Sequence, residues 1–280
     1  MGFCTYLLAT AALCFAANAG AAAVCDDFYA RLPNVKRALC EDAKLQPTLA
    51  RSVKGRTLYT RDVQSPDARL RVLVVGGIHG DELSSTSVAL HWIALAQAEP
   101  ARAHWRFVPA LNPDGLFSRP SRRVNANGVD LNRNFPTPSW DKEAAVYWNQ
   151  RTRKDPRRWP GKTALSEPES KFLVEAMGRF KPHLIVSIHA PYGVLDFDGP
   201  VEPPSRLGRL YLDQVGIFPG SLGNYAGVHK RMPVVTIELP NALKTPSDAE
   251  IRRMWDDLRE WMDETIAPGL VAQGNAEAPS

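Results

Sequence analysis

The chain has 280 residues, 44% of them hydrophobic and 23% charged, which is the balance of a globular protein with a full core. Its net charge of +4 argues against a dedicated nucleic-acid-binding surface, so we expect no nucleic-acid partner. Beyond the first residues, no apolar stretch approaches the ~18 residues of a membrane span.

The first 23 residues predict a secretory signal peptide. They contain no Asp, Glu, Lys or Arg, and they end in small residues of the A-x-A kind, so cleavage is expected after Ala19 or Ala23. A membrane anchor that stays uncleaved is the alternative. After processing, we expect no stable membrane insertion.

Cysteine usage agrees with export. Cys4 and Cys14 lie in the leader, which leaves Cys25 and Cys40 as one pair in the mature chain. An even number in an exported protein predicts a disulfide, and two buried free thiols are the alternative. Neither residue has a C-x-x-C partner, so a cysteine metal site is not expected.

Strand-like and helix-like segments alternate after a helical lead-in at 24–50. The predicted elements are strands at 70–77, 104–112, 183–189 and 232–239 and helices at 85–99, 166–180 and 247–266. A Ser-x-x-Glu capping box opens the second helix, and Ser247 caps the third. The alternation predicts an α/β fold, a three-layer α/β/α sandwich on a twisted, mixed, largely parallel sheet. We expect one catalytic domain at 51–268 and a disordered tail at 269–280.

Side chains capable of metal chemistry lie at the ends of three of the four predicted strands. His79 and Glu82 follow the strand at 70–77, His189 ends the strand at 183–189, and Glu238 lies at the end of the strand at 232–239. Two histidines and a glutamate are a standard ligand set for catalytic zinc. Glu238 is then left as the base, or alternatively as the partner of a buried arginine. The other four histidines, which we interpret as structural or surface residues, are His91, His104, His183 and His229.

A long polar loop at 111–136 carries a second group of candidates. Arg122, Arg123 and Arg133 offer planar guanidinium groups suited to carboxylate recognition. Long ordered loops tend to be functional. A solvated basic loop is the alternative, but it does not explain the NPDG and DLNRNFP groupings.

Five motifs resemble the zinc carboxypeptidases of the M14 family. They are HGDE at 79–82, NPDG at 112–115, GVDLNRNFP at 128–136, SIHAPYG at 187–193 and TIELP at 236–240, in family order. The resemblance implies a carboxypeptidase-like fold and a peptide hydrolase with one zinc ion per chain. It makes His79, Glu82 and His189 the metal ligands and Glu238 the general base.

The resemblance also implies roles in substrate binding. Asn132 and Arg133 correspond to the pair that grips the terminal carboxylate of the substrate. Arg123, with Arg122 as the alternative, corresponds to the arginine that steadies the oxyanion. Tyr225 is the candidate for the mobile tyrosine of the family.

Further stretches resemble the murein peptide amidase and cell-shape carboxypeptidase branch of the family. They are KDPRRWPG at 154–161, LSEPES at 165–170, SIHAPYGVLDFDGP at 187–200 and GSLGNYAG at 220–227. This likeness implies a cell-wall stem peptide as substrate, cut between the γ-carboxyl of D-glutamate and diaminopimelate. Together with the leader, it predicts a periplasmic enzyme. Asp196 and Asp198 could meet the ammonium group of diaminopimelate, or they could be ordinary surface acids.

Three other functions stay open. The chain could be a general carboxypeptidase for L-peptides or a deacylase of N-acyl amino acids. It could also be a wall-binding protein without zinc. Serine hydrolysis is not favoured, because the sequence has no G-x-S-x-G motif.

Overall fold

The structure is a computed structural model that describes residues 24–32, 35–64, 68–99 and 103–269. The predicted signal peptide at 1–23 and residues 270–280 of the predicted tail lie outside this range. No helix within it is long and apolar enough to cross a membrane.

Strands and helices alternate along most of the described chain. The strands are β1 (Gln46–Arg51), β2 (Thr57–Val63), β3 (Leu70–Val75), β4 (Ala103–Val108), β5 (Leu184–His189), β6 (Val194–Asp198), β7 (Arg206–Leu207), β8 (Leu210–Tyr211) and β9 (Val234–Glu238). The helices are α1 (residues 24–31), α2 (Arg37–Ala43), α3 (Leu83–Ala98), α4 (Pro113–Leu116), α5 (Trp140–Val146), α6 (Pro168–Phe180) and α7 (Asp248–Trp261).

The main sheet has seven strands in the order β1-β2-β4-β3-β5-β9-β6. The four central strands β4, β3, β5 and β9 are parallel. The outer strands β1, β2 and β6 are antiparallel to their neighbours. The predicted mixed, largely parallel sheet is therefore confirmed. The carboxyl ends of β3, β5 and β9 meet at one edge, where ligands bind in folds of this kind.

Hydrophobic cores lie on both faces of the sheet. Along β3, Val72 and Val74 point into one core and Leu73 and Val75 into the other. Helices α3 and α7 cover the first core, and α6 covers the second. The apolar face predicted for α7 is buried: Ile251, Met254, Trp255, Leu258 and Trp261. The predicted three-layer arrangement is thus confirmed.

Several boundaries differ from the sequence predictions. Residues 46–50 of the predicted helical lead-in belong to strand β1, because this segment pairs with β2 at the edge of the sheet. Helix α6 begins at Pro168, and the capping box predicted at Ser166 does not form. Proline fits the first position of a helix because its φ angle is already helical. The Ser166 hydroxyl donates instead to Glu167 Oε1 at 2.7 Å.

Cys25 and Cys40 form the predicted disulfide, and both side chains are buried. The bridge closes a loop with a sequence separation of 15. Closing a loop of this length lowers the conformational entropy of the unfolded chain, which raises the free energy of unfolding by about 3 kcal/mol. We expect the double variant Cys25→Ser and Cys40→Ser to lose about this much free energy of unfolding, measured by urea denaturation. An unchanged denaturation midpoint in both the variant and the reduced wild type would contradict the expectation.

Candidate metal centre

The three predicted zinc ligands lie together at the carboxyl edge of the sheet. His79 sits in the turn after β3, Glu82 precedes the first turn of α3, and His189 is the last residue of β5. Because β3 and β5 are parallel neighbours, their ends deliver both histidines to one place. The ligand atoms of the three buried side chains lie within 4.8 Å of one another.

The ligand atoms converge on a common point. His79 Nδ1 is 2.7 Å from Glu82 Oε1, and His189 Nδ1 is 3.0 Å from Glu82 Oε2. The two Nδ1 atoms are 3.1 Å apart. On the far side of the rings, His79 Nε2 is 3.1 Å from Asp130 Oδ1, and His189 Nε2 is 3.0 Å from Ser187 Oγ.

This hydrogen-bonding pattern fits a metal ion. Protons on both Nε2 atoms can be donated to Asp130 and Ser187, and the two Nδ1 lone pairs then face the carboxylate of Glu82. Three buried acceptors facing one another repel unless a cation lies between them. Two imidazoles and a carboxylate are ligands that zinc accepts.

Asp130 and Arg123 support the ligands from one side. Asp130 Oδ2 accepts a hydrogen bond from Arg123 Nε at 3.1 Å, and Arg123 Nη1 is 3.5 Å from Glu82 Oε1. Burial opposes ionisation of Asp130, but Arg123 and then His79 hold the pKa of this carboxyl well below its usual range. Asp130 therefore stays charged and fixes both His79 and Arg123.

Glu238 lies beside the ligands. It ends β9 directly opposite His189 in the sheet register. Its Oε2 atom is buried and has no hydrogen-bond partner, and burial raises the pKa of the carboxyl. No arginine in the described part of the chain forms a salt bridge with it, so the alternative of an arginine partner finds no support.

A cavity of about 270 Å³ opens onto the ligands and Glu238. Asn132 and Arg133 line it together with Arg123. Arg133 is only 4% exposed, its guanidinium lies 4.4 Å from the centre of the Phe218 ring, and its buried Nε has no hydrogen-bond partner. The Arg133 Nη1 atom donates to the Asn132 carbonyl oxygen at 2.7 Å, and no carboxylate in the described part of the chain forms a salt bridge with this guanidinium. A buried cation on the cavity wall without a carboxylate partner favours an anionic ligand.

Comparison with known proteins places this site in a family. The sequence profile of the zinc carboxypeptidases matches residues 40–197, more than half of the chain. The chain belongs to the zinc carboxypeptidase family. The matched range contains all three metal ligands and Arg133, whereas Glu238 lies beyond it and is brought to the site by β9.

Two relatives of this zinc carboxypeptidase are named as amidases of murein peptides. The chain is 33% identical to murein peptide amidase A of Escherichia coli strain K12 over 175 residues, 60% of this chain and 70% of that protein. The crystal structure of murein-tripeptide amidase from Escherichia coli O157 matches with a TM-score of 0.54 and 31% identity, covering 74% of this chain and 86% of that one. The structure of bovine thrombin-activatable fibrinolysis inhibitor shares the fold, with a TM-score of 0.60 and 17% identity. The match covers 84% of this chain and 94% of that one.

Two predicted site residues of this zinc carboxypeptidase lie outside the cavity. Arg122 is exposed, whereas its neighbour Arg123 reaches the metal ligands, so the structure separates the two alternatives. The prediction of Tyr225 as a substrate-binding residue is not supported, because its ring stacks on Phe135 in the core that α6 covers. The tyrosine that lines the cavity is Tyr192, which is 58% exposed.

The basic stretch at 154–161 forms part of the cavity rim. Arg157 and Arg158 line the opening, and Arg157 Nη2 is 2.8 Å from Asp81 Oδ2. Asp81 lies between two metal ligands in the chain, so this ion pair joins the rim to the metal loop. In the sequence, this stretch shows only a family likeness, and no local pattern predicts its ion pair with Asp81.

The contact between Asp130 and His79 predicts a loss of metal affinity. We expect Asp130→Asn to bind zinc about 10- to 100-fold more weakly, because the neutral amide holds the imidazole less firmly. Competition with a fluorescent zinc indicator measures this affinity. Asp141→Asn, at the exposed start of α5, is the matched control. Equal affinity in both variants would show that Asp130 does not support the ligand.

Proposed function

We propose that this enzyme hydrolyses peptidoglycan stem peptides at the bond between the γ-carboxyl of D-glutamate and diaminopimelate. The observation that carries the proposal is the 33% identity with murein peptide amidase A over 70% of that protein. The hydrolase class follows from the family and from the convergent site.

The side chains of the cavity supply distinct parts of the reaction. Zinc, when bound to His79, Glu82 and His189, supplies a Lewis acid for water and for the scissile carbonyl. Glu238 accepts the proton of the attacking water and returns it to the leaving amine, so the carboxyl ends each cycle ionised. Arg133 and Asn132 hold the free carboxylate of the terminal residue, and Arg123 faces the developing oxyanion.

The first test compares substrates. Purified protein is incubated with the tripeptide L-alanyl-γ-D-glutamyl-diaminopimelate, with a blocked L-dipeptide and with an N-acyl amino acid, and products are identified by mass spectrometry. We expect free diaminopimelate and a dipeptide from the first substrate. Cleavage of the blocked dipeptide or the N-acyl amino acid alone would favour one of the alternative hydrolases.

We propose one zinc ion per chain, supported by the single convergent His-Glu-His set among the described residues. Metal analysis of the purified protein after dialysis is expected to give a ratio near one. A protein that binds the wall tripeptide without zinc and without hydrolysis would instead be the wall-binding alternative.

We propose a periplasmic location, supported by the predicted leader at 1–23 and by the disulfide, which is typical of exported proteins. Cell fractionation followed by intact-mass measurement tests it. The expected mature chain begins after Ala19 or Ala23 and carries an oxidised cysteine pair. A cytoplasmic chain of full length would contradict the proposal.

A further inference from the structure

A second groove opens at the carboxyl edge of the sheet, apart from the metal cavity. It has a volume of about 290 Å³ and lies between helix α1, the end of β4 and the start of β2. No residue lines both this groove and the metal cavity. Its lining is mainly apolar and includes Val24, Phe28, Tyr59, Pro109, Pro113 and Phe117. The groove therefore offers a surface that an aliphatic chain can cover.

A basic pocket continues this groove. It has a volume of about 230 Å³, and its lining contains Arg31, Arg56 and Arg119. The two cavities share Asp27, Arg56 and Phe117, so they form one continuous depression, which we call the α1 groove. At the junction, the Arg56 guanidinium lies 5.0 Å from the centre of the Phe117 ring. One end of the α1 groove is thus apolar, and the other end is basic.

The basic end carries positive charge that carboxylates do not neutralise. Arg56 has acidic neighbours, since its Nη1 is 3.6 Å from Asp27 Oδ2 and its Nε is 3.7 Å from Asp114 Oδ1. Arg31 and Arg119 form no salt bridge with any carboxylate in the described part of the chain. Two cationic side chains without carboxylate partners favour an anionic ligand at this end.

Arg31 and Phe117 are held in place for such a ligand. Arg31 Nε donates to the carbonyl oxygen of Leu116 at 2.9 Å, and Arg31 Nη2 donates to that of Ser118 at 3.2 Å. A guanidinium has five N–H donors, so donors remain for a ligand. The Phe117 ring packs on Phe28, with ring centres 5.6 Å apart. Because these contacts already restrict both side chains, little conformational entropy is lost on binding.

We propose that the α1 groove binds a single-chain amphiphile with a phosphate head, which is the chemistry of a monoacyl phospholipid. The aliphatic chain lies against Phe28 and Phe117, and the phosphate accepts hydrogen bonds from Arg31 and Arg119. Phosphate suits guanidinium groups because its oxygens accept bidentate hydrogen bonds. The volumes of the two cavities are at the lower end of the range for small-molecule sites, which fits one chain. The inference does not depend on the proposed hydrolysis, because the α1 groove lies outside the metal cavity.

The experiment compares three probes by isothermal titration calorimetry of the purified protein: decyl phosphate below its micelle-forming concentration, inorganic phosphate and decyl maltoside. We expect one saturable site for decyl phosphate, with at least about tenfold higher affinity than for the other two probes, because each of these satisfies only one end of the groove. Decyl phosphate at ten times its Kd should also raise the thermal midpoint by about 2 to 5 °C. Equal affinity for decyl phosphate and either of the other probes would overturn the proposal.

Two variants each change one end of the α1 groove. Arg119→Gln removes an exposed guanidinium from the basic end and should weaken decyl phosphate binding about tenfold. Thr57→Phe fills the apolar end at the first residue of β2, where an aromatic residue suits the strand, and should weaken binding by at least about tenfold. Arg179→Gln is the matched control. It removes the same charge on the exposed surface of α6 and should bind decyl phosphate as the wild type does.

Arg133→Met distinguishes the α1 groove from the metal cavity, where Arg133 also offers a cation. Decyl phosphate is expected to bind this variant with wild-type affinity. Loss of binding in Arg133→Met, together with full binding in Arg119→Gln and Thr57→Phe, would place the anion in the metal cavity and overturn the proposal. If Thr57→Phe does not fold, Arg119→Gln and the comparison of the three probes still decide the question.

Discussion

Glu238→Gln is expected to lower kcat by about 10²- to 10⁴-fold while KM and zinc content stay near their wild-type values. An amide cannot accept the proton of the attacking water. The substitution conserves the shape of the side chain, and Oε2 has no partner in the protein to lose. The change should therefore act on the chemical step alone.

Single-turnover and steady-state assays on the wall tripeptide measure this loss, and metal analysis shows whether zinc is retained. Glu175→Gln, on the exposed face of α6, removes a carboxylate far from the cavity and should keep full activity. Wild-type activity in the Glu238 variant would remove the assignment of the general base.

The central sheet could be predicted because its strands are buried on both faces. All six residues of β5 are buried, so an uninterrupted apolar run marks the strand. The edge strands carry no such signal. In β1, every residue is at least partly exposed and Leu49 is 98% exposed, so its strand conformation depends on pairing with β2.

The metal ligands could be predicted because each follows or ends a buried strand. The hydrogen bond with Asp130 that supports His79 could not be predicted. Asp130 is 51 residues from His79, and the contact depends on how the polar loop folds back. The candidate Tyr225 came from the family resemblance alone. It lies in the π-helical turn Gly223–His229, where its ring stacks on Phe135 and does not line the cavity.

The two carboxylates of β6 show what only the structure adds. From the sequence, Asp196 and Asp198 could equally be loop acids. Their place on the cavity wall depends on β6 pairing antiparallel with β9, a long-range contact that local patterns do not encode.

Arg133→Met is expected to lower kcat/KM for peptides with a free terminal carboxylate by about 30-fold or more, mainly through KM. Removing one partner of a buried charge pair costs about 2 to 5 kcal/mol, because the other charge is left unpaired. Methionine suits the site physically, since the side chain is buried against Phe218. Its unbranched, flexible chain can fill the space that the guanidinium leaves.

A substrate with an amidated terminus isolates this contact. The wild type should prefer the free acid strongly, whereas Arg133→Met should cleave both forms at similar rates, and the four measurements form a double-mutant cycle. Arg179→Met, on the exposed surface of α6, should behave as the wild type. If the Arg133 variant kept the preference for the free acid, another cavity cation such as Arg158 would hold the carboxylate. The orphaned Nε of Arg133 would then be unrelated to exopeptidase selectivity.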